Sequence, residues 1–465
     1  MTFTFTAPVK ESIMASRKIG WAGIILAGGL VLALPQSAAY ADRLPAASSP
    51  SRGSEIHGAH RDTTAILKEV DGGPDFYAKF EPSLPTTPSF FPIGVWLAAV
   101  NKQTDITSDQ AAGLNTYVGL TNTSDFSLLG PSGMYFISNQ PRIAVKGTVG
   151  RYVNDEVDMW AGAGNAAWTG NSPGQGTICE PAAAACGYTI QADIVKALPK
   201  DHMFRWSNYG KGVVFWESDA NAEKFVNDYQ DVVSVDEYWF ADDSICIASQ
   251  GGKFYSPSVL VNGYLPPQLC HLAANYGKSV DRVRYLAGDS KPVWAVVELG
   301  HPFLATSWPS ITPQEVTAAV WQSLIAGARG IVYFNHSFGG KCLTLNVLRD
   351  PCYSSIRAAV TTVDHEIKSL APVLNAPFAE NVVTASSGVN ISTKWYGGHF
   401  YVLAGSNTPN PQTASFSMPC VGTATATVLN EKRTIAAPGG TFRDYFANGN
   451  AVHIYRINGG SACGA

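Results

Sequence analysis

Three glutamates follow short apolar runs, at places where a buried strand would end. Glu156 comes after "VGRYVND", Glu217 lies near the end of "GVVFWES", and Glu298 closes "PVWAVVE". A carboxylate beside an apolar strand is costly unless it is solvated, hydrogen-bonded or used in chemistry. Each glutamate alone is equally well explained as a salt-bridged residue at the start of a loop. Two such groups brought together can act on one bond as an acid and a nucleophile or base.

Aromatic residues cluster at the same predicted strand ends. Indole and phenol faces stack on sugar rings, while a carboxyl pair can cleave the glycosidic bond between two sugars. Besides the three glutamates, the residues that we predict to line such a site are Trp96, Tyr152, Asn154, Asp155, Trp160, Trp216, Tyr238, Trp239, His301, Trp308, Asn335 and His336. Some of the aromatic residues suit a barrel core equally well. Trp168 is either a substrate platform or a loop anchor.

A repeated alternation of strands and helices carries these residues. Apolar runs suited to buried parallel strands alternate with stretches of helical period between residues 88 and 377. The predicted strands are 90–100, 113–120, 133–138, 149–155, 212–218, 231–239, 292–298 and 330–336. Thr312, Pro313 and Glu315 have the types and spacing of a capping box, which predicts a helix between the last two strands.

Eight strand–helix repeats predict a (β/α)8 barrel, whose strands present functional residues at their carboxyl ends. A doubly wound open sheet is the main rival, but it usually has fewer strands, and no glycine-rich phosphate turn follows the first strand here. From residue 378 the pattern changes to strands and turns such as "HFYVLAGSN" and "AVHIYRI". This change predicts a small antiparallel β-sandwich domain over residues 378–465.

The N-terminus has the order of a secretory signal. Arg17 and Lys18 precede an apolar run, and small residues lead up to Ala41. We therefore predict a signal peptide over residues 1–41, a linker over 42–87, and a secreted or periplasmic protein. A retained membrane anchor is the alternative, although the apolar run is short for a spanning helix. The sequence after residue 41 holds no run long and apolar enough to span a bilayer.

The chain has 465 residues, eight cysteines and a formal charge of −4. This charge argues against a general nucleic-acid binder, which would show a basic stripe. An even number of cysteines in an exported chain favours disulfides. Proximity in the sequence suggests the pairs Cys179–Cys186, Cys246–Cys270, Cys342–Cys352 and, by what remains, Cys420–Cys463. The spacings fit no zinc site, so we predict no metal and no cofactor, and the number of subunits stays open.

Several segments resemble the (β/α)8 glycoside hydrolases of clan A. They are "FFPIGVW", "YVNDEVDMW", "PVWAVVELG" and "TPQEVTAAVWQSLIAGARGIVYFNHS". The closing "FRDYFANGNAVHIYRI" is similar to the last strand of the β-sandwich that often follows such barrels. That group places its acid/base glutamate after strand four and its nucleophile after strand seven. The resemblance therefore implies that Glu156 is the acid/base and Glu298 the nucleophile of a retaining hydrolase acting on a poly- or oligosaccharide.

This sequence departs from the clan's pattern next to the predicted acid/base. Clan members usually have Asn directly before it, whereas here Asp155 separates Asn154 from Glu156. The end of strand eight carries Asn335 and His336 where a tryptophan is common. These departures affect the residues expected to contact the sugar more than the two glutamates.

Two alternatives to this interpretation stay open. The barrel could be a catalytically silent carbohydrate-binding or cell-wall protein, because fold alone does not fix function. It could also be a hydrolase that uses another carboxylate pair, such as Asp155 with Glu217. If Glu298 is the nucleophile, it must stay ionised, and Tyr238 and His301 are the donors that we expect to stabilise it.

Overall fold

A computed structural model describes residues 64–140, 143–164, 186–305 and 308–464. Eight parallel strands close into a barrel, and the first strand pairs with the last. The strands are β1 (Ile93–Ala98), β2 (Thr116–Leu120), β3 (Tyr135–Ser138), β4 (Thr148–Asp155), β5 (Phe204–Tyr209), β6 (Val232–Val235), β7 (Val293–Glu298) and β8 (Ile331–Phe334). The predicted (β/α)8 barrel is confirmed. The predicted signal peptide, Trp168 and Cys179 lie outside the described residues.

Helices lie between the barrel strands in sequence and after the last one. They are α1 (Gln103–Ala112), α2 (Val157–Trp160), α3 (Gly187–Ala197), α4 (Asp219–Asp228), α5 (Pro267–Cys270), α6 (Ala274–Ala287), α7 (Pro313–Ile325) and α8 (Ser354–Leu374). The two shortest, α2 and α5, belong to loops after β4 and β6. The predicted capping box begins α7, because Thr312 and Glu315 each accept a hydrogen bond from the other's backbone N–H. Within the described ranges, no α-helix separates β2 from β3 or β3 from β4.

The fifth strand differs from the prediction. β5 is Phe204–Tyr209, and the predicted segment 212–218 is mainly a π-helical turn, Gly212–Trp216, that leads into α4. Phe215 and its apolar neighbours pack in the layer between the barrel and the helices. A short apolar run does not distinguish a buried strand from a buried helix. As a result, Glu217 follows a helical turn and does not end a barrel strand.

Large aromatic side chains fill the barrel interior. Trp96, Tyr152 and Trp206 pack together, with ring centroids between 5.3 Å and 5.6 Å apart. At the opposite end of the barrel, Trp294 donates a hydrogen bond from Nε1 to the Tyr77 hydroxyl at 3.1 Å. Tyr77 belongs to a short helix, Pro74–Tyr77, that precedes the barrel. This plug closes the amino ends of the strands, so only their carboxyl ends remain for a site.

The segment before the barrel is folded over its described part, although the sequence suggested a linker. A strand at Ile66–Lys68 pairs antiparallel with Phe378–Glu380, which follows α8. The Arg329 guanidinium donates to the carbonyl oxygen of Gly72 at 2.8 Å. Residues 64–87 therefore connect the barrel to the C-terminal sheets.

The C-terminal region consists of two antiparallel sheets, which confirms the predicted β-sandwich. Its strands are β9 (Phe378–Glu380), β10 (Thr384–Ala385), β11 (Val389–Tyr396), β12 (His399–Ser406), β13 (Gln412–Ser417), β14 (Ala424–Val428), β15 (Arg433–Ala437), β16 (Thr441–Phe446) and β17 (Val452–Asn458). One sheet has the order Ile66–Lys68, β9, β11, β12, β17, β14, β15, and the other has the order β10, β13, β16. Phe400, Phe416 and Tyr455 are buried in the core of this region.

Disulfides join three of the predicted cysteine pairs. They are Cys246–Cys270 after β6, Cys342–Cys352 after β8 and Cys420–Cys463 in the C-terminal region. The fourth predicted pair includes Cys179, which is not described. No helix in the described part of the chain is long and apolar enough to cross a membrane.

Candidate active site

Carboxylates gather where three barrel strands end. Asp155 ends β4 and Glu156 follows it, Asp236 and Glu237 follow β6, and Glu298 ends β7. Because the strands are parallel, their carboxyl ends lie at one face of the barrel, which is where barrel enzymes have their active sites. We call this face the mouth.

A β-bulge determines which side chains of β4 meet the neighbouring strand. The register between β4 and β5 shifts between Tyr152 and Asn154, so β4 contains one extra residue. Asp155 therefore aligns with Asn208 and accepts a hydrogen bond from its Nδ2 at 3.0 Å. Asn154 is buried, and its amide has no hydrogen-bond partner among the described residues. The aspartate that separates this sequence from the clan's pattern thus lies just after the bulge.

Glu156 has a strained backbone and a perturbed carboxyl group. Its φ of 52° and ψ of 33° are left-handed, a conformation that costs about 1 kcal/mol or more in a residue other than glycine. The strain is held in place by a hydrogen bond from its N–H to the carbonyl oxygen of Asn208 at 2.9 Å. Burial raises the pKa of Glu156 well above its usual range, and the nearby Asp155 and Asp158 raise it further. Such perturbed carboxyls in a barrel mouth are candidates for general acids.

Lys211 brings a positive charge to these carboxylates. Its side chain forms an ion pair with Asp242 and donates to Ser244 Oγ at 2.9 Å. The ammonium group opposes the effect of burial, since it acts to lower the pKa of both Glu156 and Glu237. It therefore compensates part of the negative charge at the mouth.

Asp236 and Glu237 are site residues that the sequence prediction missed. Both side chains are buried directly after β6. Asp236 Oδ2 accepts a hydrogen bond from the Tyr238 hydroxyl at 3.1 Å, whereas neither carboxyl oxygen of Glu237 has a partner in the described part of the chain. Burial is the main reason that the pKa of each lies well above its usual range. The signal was available, because two adjacent acids follow an apolar run as Glu156 does.

Glu298 is completely buried, with 0% of its surface exposed. Its Oε1 accepts hydrogen bonds from the Phe240 N–H at 2.9 Å and from the Tyr276 hydroxyl at 2.8 Å. Its Oε2 has no partner among the residues described. Burial raises the pKa of Glu298 to about 8, although the two donors act in the opposite direction.

The donors predicted for this glutamate serve other groups. The Tyr238 hydroxyl donates to Asp236, as described above. The His301 ring lies between two backbone carbonyl oxygens, with Nδ1 2.9 Å from that of Phe303 and Nε2 3.0 Å from that of Trp308. The prediction of Tyr238 and His301 as donors was therefore wrong, and His301 instead holds the loop after β7.

Some of the predicted aromatic residues do lie at or below the mouth. Trp96 and Tyr152 pack inside the barrel, where burial raises the pKa of Tyr152 and the nearby Asp155 raises it further. Trp160 is 44% exposed, and its indole Nε1 donates to the Asp155 carbonyl oxygen at 2.8 Å. Trp308 packs on the ring of His271, with centroids 4.3 Å apart.

Other predicted residues have structural positions instead. Trp239 is fully buried between the barrel and α6, where its Nε1 donates to Ser279 Oγ at 3.2 Å. Trp216 packs against the same layer at the end of the π-helical turn. Glu217 accepts hydrogen bonds from the Ala163 N–H at 3.4 Å and the Asn221 amide at 3.3 Å, so it links the loop after α2 to the first turn of α4.

The two predicted residues after β8 hold backbone segments. Asn335 Oδ1 accepts a hydrogen bond from the Leu348 N–H at 2.9 Å. His336 Nε2 lies 3.3 Å from the carbonyl oxygen of Leu97, and burial lowers the pKa of this histidine. Both side chains are buried, so they position the loops around the mouth.

The described residues hold one cluster of potential metal ligands. Cys246, Cys270 and His271 form the one group of three whose donor atoms lie within 4.8 Å of one another. The two sulfurs are joined in a disulfide and are not thiolates. No three described carboxylates at the mouth come this close together.

Of three comparisons with known proteins, only that with solved structures finds matches. No protein-family model and no curated protein matches the chain. Among the solved structures that match is one described as a glycoside hydrolase, with 11% identity, a TM-score of 0.48 and coverage of 85% of this chain and 97% of that chain. A glycoside hydrolase family 5 structure from Bacteroides vulgatus has 12% identity, a TM-score of 0.46 and coverage of 85% and 93%.

A maltogenic alpha-amylase from Thermotoga neapolitana also matches, with 8% identity and a TM-score of 0.45. The match covers 80% of this chain and 99% of the amylase. Identities and TM-scores this low carry no argument about activity, which rests on the residues of the mouth.

Proposed function

We propose that this protein is a secreted glycoside hydrolase that cleaves O-glycosidic bonds of a poly- or oligosaccharide by retaining double displacement. Glu156 is the acid/base and Glu298 the nucleophile. The observation that carries the proposal is that Glu156 directly follows β4 and Glu298 ends β7, at the same face of one closed parallel barrel. A carboxyl pair flanking the bond is what this reaction requires.

Glu156 has the properties of the acid/base. Burial and two neighbouring aspartates raise the pKa of its carboxyl, and this shift favours the protonated form that a general acid needs. It is also partly exposed, so a sugar can approach it. In the first step it protonates the leaving oxygen, and in the second it takes a proton from the attacking water.

Glu298 must be ionised to attack the anomeric carbon. The N–H of Phe240 and the hydroxyl of Tyr276 both stabilise its negative charge. Because the pKa of Glu298 is about 8, the ionised fraction increases as the pH rises toward that value. Since its side chain has no exposed surface in the free protein, substrate binding has to open a path to it.

The surroundings of the mouth support a carbohydrate substrate outside the cytoplasm. Trp160 presents an exposed indole next to Asp155, a suitable platform for a sugar ring. Three disulfides agree with the export predicted from the N-terminal sequence. Two of them brace loops that follow β6 and β8 at the mouth.

The test is release of reducing sugar from a panel of polysaccharides by the wild type and by Glu156→Gln and Glu298→Gln. Each variant should lose a factor of about 10² to 10⁴ in rate, the range for one missing acid or base group. Glu366→Gln is the matched control, because Glu366 is a half-buried glutamate on α8. Activity of Glu298→Ala should return with azide, giving a glycosyl azide of inverted configuration. Full activity in either Gln variant contradicts the assignment.

A catalytically silent carbohydrate-binding barrel is the second candidate, and the complete burial of Glu298 favours it. This candidate predicts retardation of the wild type in gels that contain a polysaccharide, with no reducing sugar released. Exchange of Trp160 for alanine should weaken that retardation, because the exposed indole would be lost.

A further inference from the structure

The two sides of the mouth differ in chemistry. On the β4 side, Trp160 presents its exposed indole beside Asp155. β8 lies opposite β4 in the closed ring of eight strands. On that side the loops after β7 and β8 present aliphatic side chains, of which Leu304 is 54%, Leu343 is 74% and Leu345 is 48% exposed. A mouth with one aromatic and one aliphatic side suits a substrate with two different ends.

Backbone contacts join the two loops that present these leucines. The Phe338 N–H, in the loop after β8, donates to the carbonyl oxygen of His301, in the loop after β7, at 2.7 Å. A Cβ on Gly339 would come within 3.1 Å of the carbonyl oxygen of Leu304, so the two loops also pack closely there. The exposed leucines therefore belong to one joined structure.

The loop after β8 holds its two leucines at the surface. They flank Thr344, which exchanges two backbone hydrogen bonds with Ser337, at 2.8 Å and 3.0 Å. The Cys342–Cys352 disulfide closes the same loop. These links restrain the loop, so its leucines stay exposed beside the mouth.

Half-buried phenylalanines connect the leucines to the carboxylates. Phe303 and Phe334 both pack on Tyr238, with ring centroids 5.7 Å and 5.0 Å away, and Phe338 lies 6.5 Å from Phe334. The Tyr238 hydroxyl in turn donates to Asp236 at 3.1 Å. An apolar surface therefore runs outward from the carboxylates. We call it the apolar wall, and it consists of Phe303, Leu304, Phe334, Phe338, Leu343 and Leu345.

The segments that form the outer part of this wall are almost free of charge. Residues 299–311, after β7, contain no Asp, Glu, Lys or Arg, and residues 335–348, after β8, contain only Lys341. In the whole chain, 15% of the residues are charged. Single exposed leucines are common on proteins, whereas an extended apolar surface beside a site marks a place of binding.

The outer part of the wall is better suited to a hydrocarbon chain than to a further sugar ring. A sugar ring stacks on a flat aromatic face, and the exposed residues of the wall are branched leucines. A saturated chain needs only apolar area, which removes it from water along its whole length. The wall supplies such area from the mouth to its outer edge.

We infer that the apolar wall binds a long alkyl or acyl chain joined to the sugar, so that the substrate is a glycolipid. The inference rests on the proposed function, whose substrate class it specifies. The sugar lies among the carboxylates and near Trp160. The chain lies along the wall toward Leu343 and Leu345.

The experiment is calorimetric titration of the full-length protein with hexyl, octyl and decyl 1-thioglycosides of glucose, galactose and mannose, each below its micelle-forming concentration. The sulfur linkage resists hydrolysis, so binding alone is measured. With at least one sugar, Kd should fall about tenfold for each two methylene groups added, because a buried methylene strengthens binding about three- to fourfold. A Kd that does not depend on chain length overturns the inference.

Leu343→Ser combined with Leu345→Ser removes the outer part of the wall. Both side chains are exposed, so the fold does not depend on them. The Kd of the decyl glycoside should rise about tenfold in this double variant. Leu67→Ser is the matched control, because Leu67 is 45% exposed on the strand that pairs with β9. An unchanged Kd in the double variant, or an equal rise in Leu67→Ser, overturns the inference.

Leu304→Ser tests the wall independently from the loop after β7. It should raise the Kd of the decyl glycoside by about threefold, and an unchanged Kd contradicts the proposed extent of the wall.

Two other occupants of the wall give different results. If the wall binds a polysaccharide, the double variant is retarded less in polysaccharide gels while chain length has no effect on Kd. If the wall binds a second copy of this chain, the wild type sediments as a dimer, the double variant as a monomer, and chain length again has no effect. Either result overturns the inference.

Binding of the chain and hydrolysis are separate readouts. If polysaccharides are hydrolysed and Glu298→Gln is inactive, while Kd does not depend on chain length, the proposed function stands and the inference fails. If longer chains bind more tightly through the wall, while no sugar is released from polysaccharides or from O-linked decyl glycosides, the wall stands and the proposed hydrolysis fails.

Discussion

Replacement of Glu298 by glutamine should make the stability of the protein less sensitive to pH. The wild-type carboxyl has a pKa of about 8 in the folded state, against an ordinary value of 4.5. A group whose folded pKa is raised contributes its full stability below the unfolded pKa and loses it as the pH rises through the folded pKa. Glutamine does not titrate, so the stability of the variant does not decrease as the pH rises through the pKa of Glu298.

The size of the effect follows from the two pKa values. The difference of 8 minus 4.5 corresponds to about 5 kcal/mol of ionisation penalty at high pH, because one pKa unit equals about 1.4 kcal/mol. Glutamine Oε1 can still accept from the Phe240 N–H and the Tyr276 hydroxyl. The stability of Glu298→Gln minus that of the wild type should therefore increase by about 1.4 kcal/mol per pH unit between about pH 5 and pH 8.

The measurement is urea unfolding at a series of pH values, followed by tryptophan fluorescence, with reversibility checked at each pH. Glu366→Gln serves as the control, because Glu366 is only half-buried and its pKa is raised less by burial. The difference in free energy of unfolding between Glu366→Gln and the wild type should change less with pH than the difference for Glu298→Gln.

A constant difference between Glu298→Gln and the wild type across this pH range would refute the reasoning. It would mean that Glu298 is ionised in the folded protein at neutral pH. The hydrogen bonds from Phe240 and Tyr276 would then outweigh the effect of burial.

Three further predictions concern single contacts. Tyr276→Phe removes a donor to Glu298, so its pKa should rise and the acidic limb of the activity profile should move to higher pH; an unmoved limb argues against Glu298 as the nucleophile. Trp206→Ala should reduce the free energy of unfolding by about 3–5 kcal/mol in urea, whereas a smaller loss would mean that the interior collapses around the gap. Replacement of both Cys420 and Cys463 by serine should lower the free energy of unfolding by about 4 kcal/mol, because the disulfide between them is lost. An unchanged melting temperature would contradict this prediction.

The barrel could be predicted where apolar runs are unbroken. β7 is a clear example, because Val293–Val297 is apolar throughout and the strand is buried. β5 could not be found this way, since "FRWSNY" places Arg205, Ser207 and Asn208 among its aromatic residues. Asn208 is buried at the mouth, where it binds Asp155, so tertiary contacts decide the structure of this strand.

The candidate site was predicted only in part, because tertiary contacts also decide which residues meet there. Glu156 and Glu298 follow runs whose ends are visible in the sequence. Asp236 was hidden because the predicted strand was extended to residue 239, three residues beyond it. That it lies at the same mouth as Glu156 depends on the parallel barrel, in which β5 separates β4 from β6. No local pattern contains this information.

The strand at Ile66–Lys68 has a consequence for the order in which the chain can fold during synthesis. It precedes the barrel, yet its partner β9 is made only after all eight barrel strands. The Ala65 N–H also donates to the carbonyl oxygen of Cys463 at 2.7 Å, close to the last described residue. Contacts this distant in sequence form late and slowly. An emerging chain must therefore keep the strand at Ile66–Lys68 unpaired until β9 has left the ribosome, and a barrel expressed without β9 would carry an open strand edge.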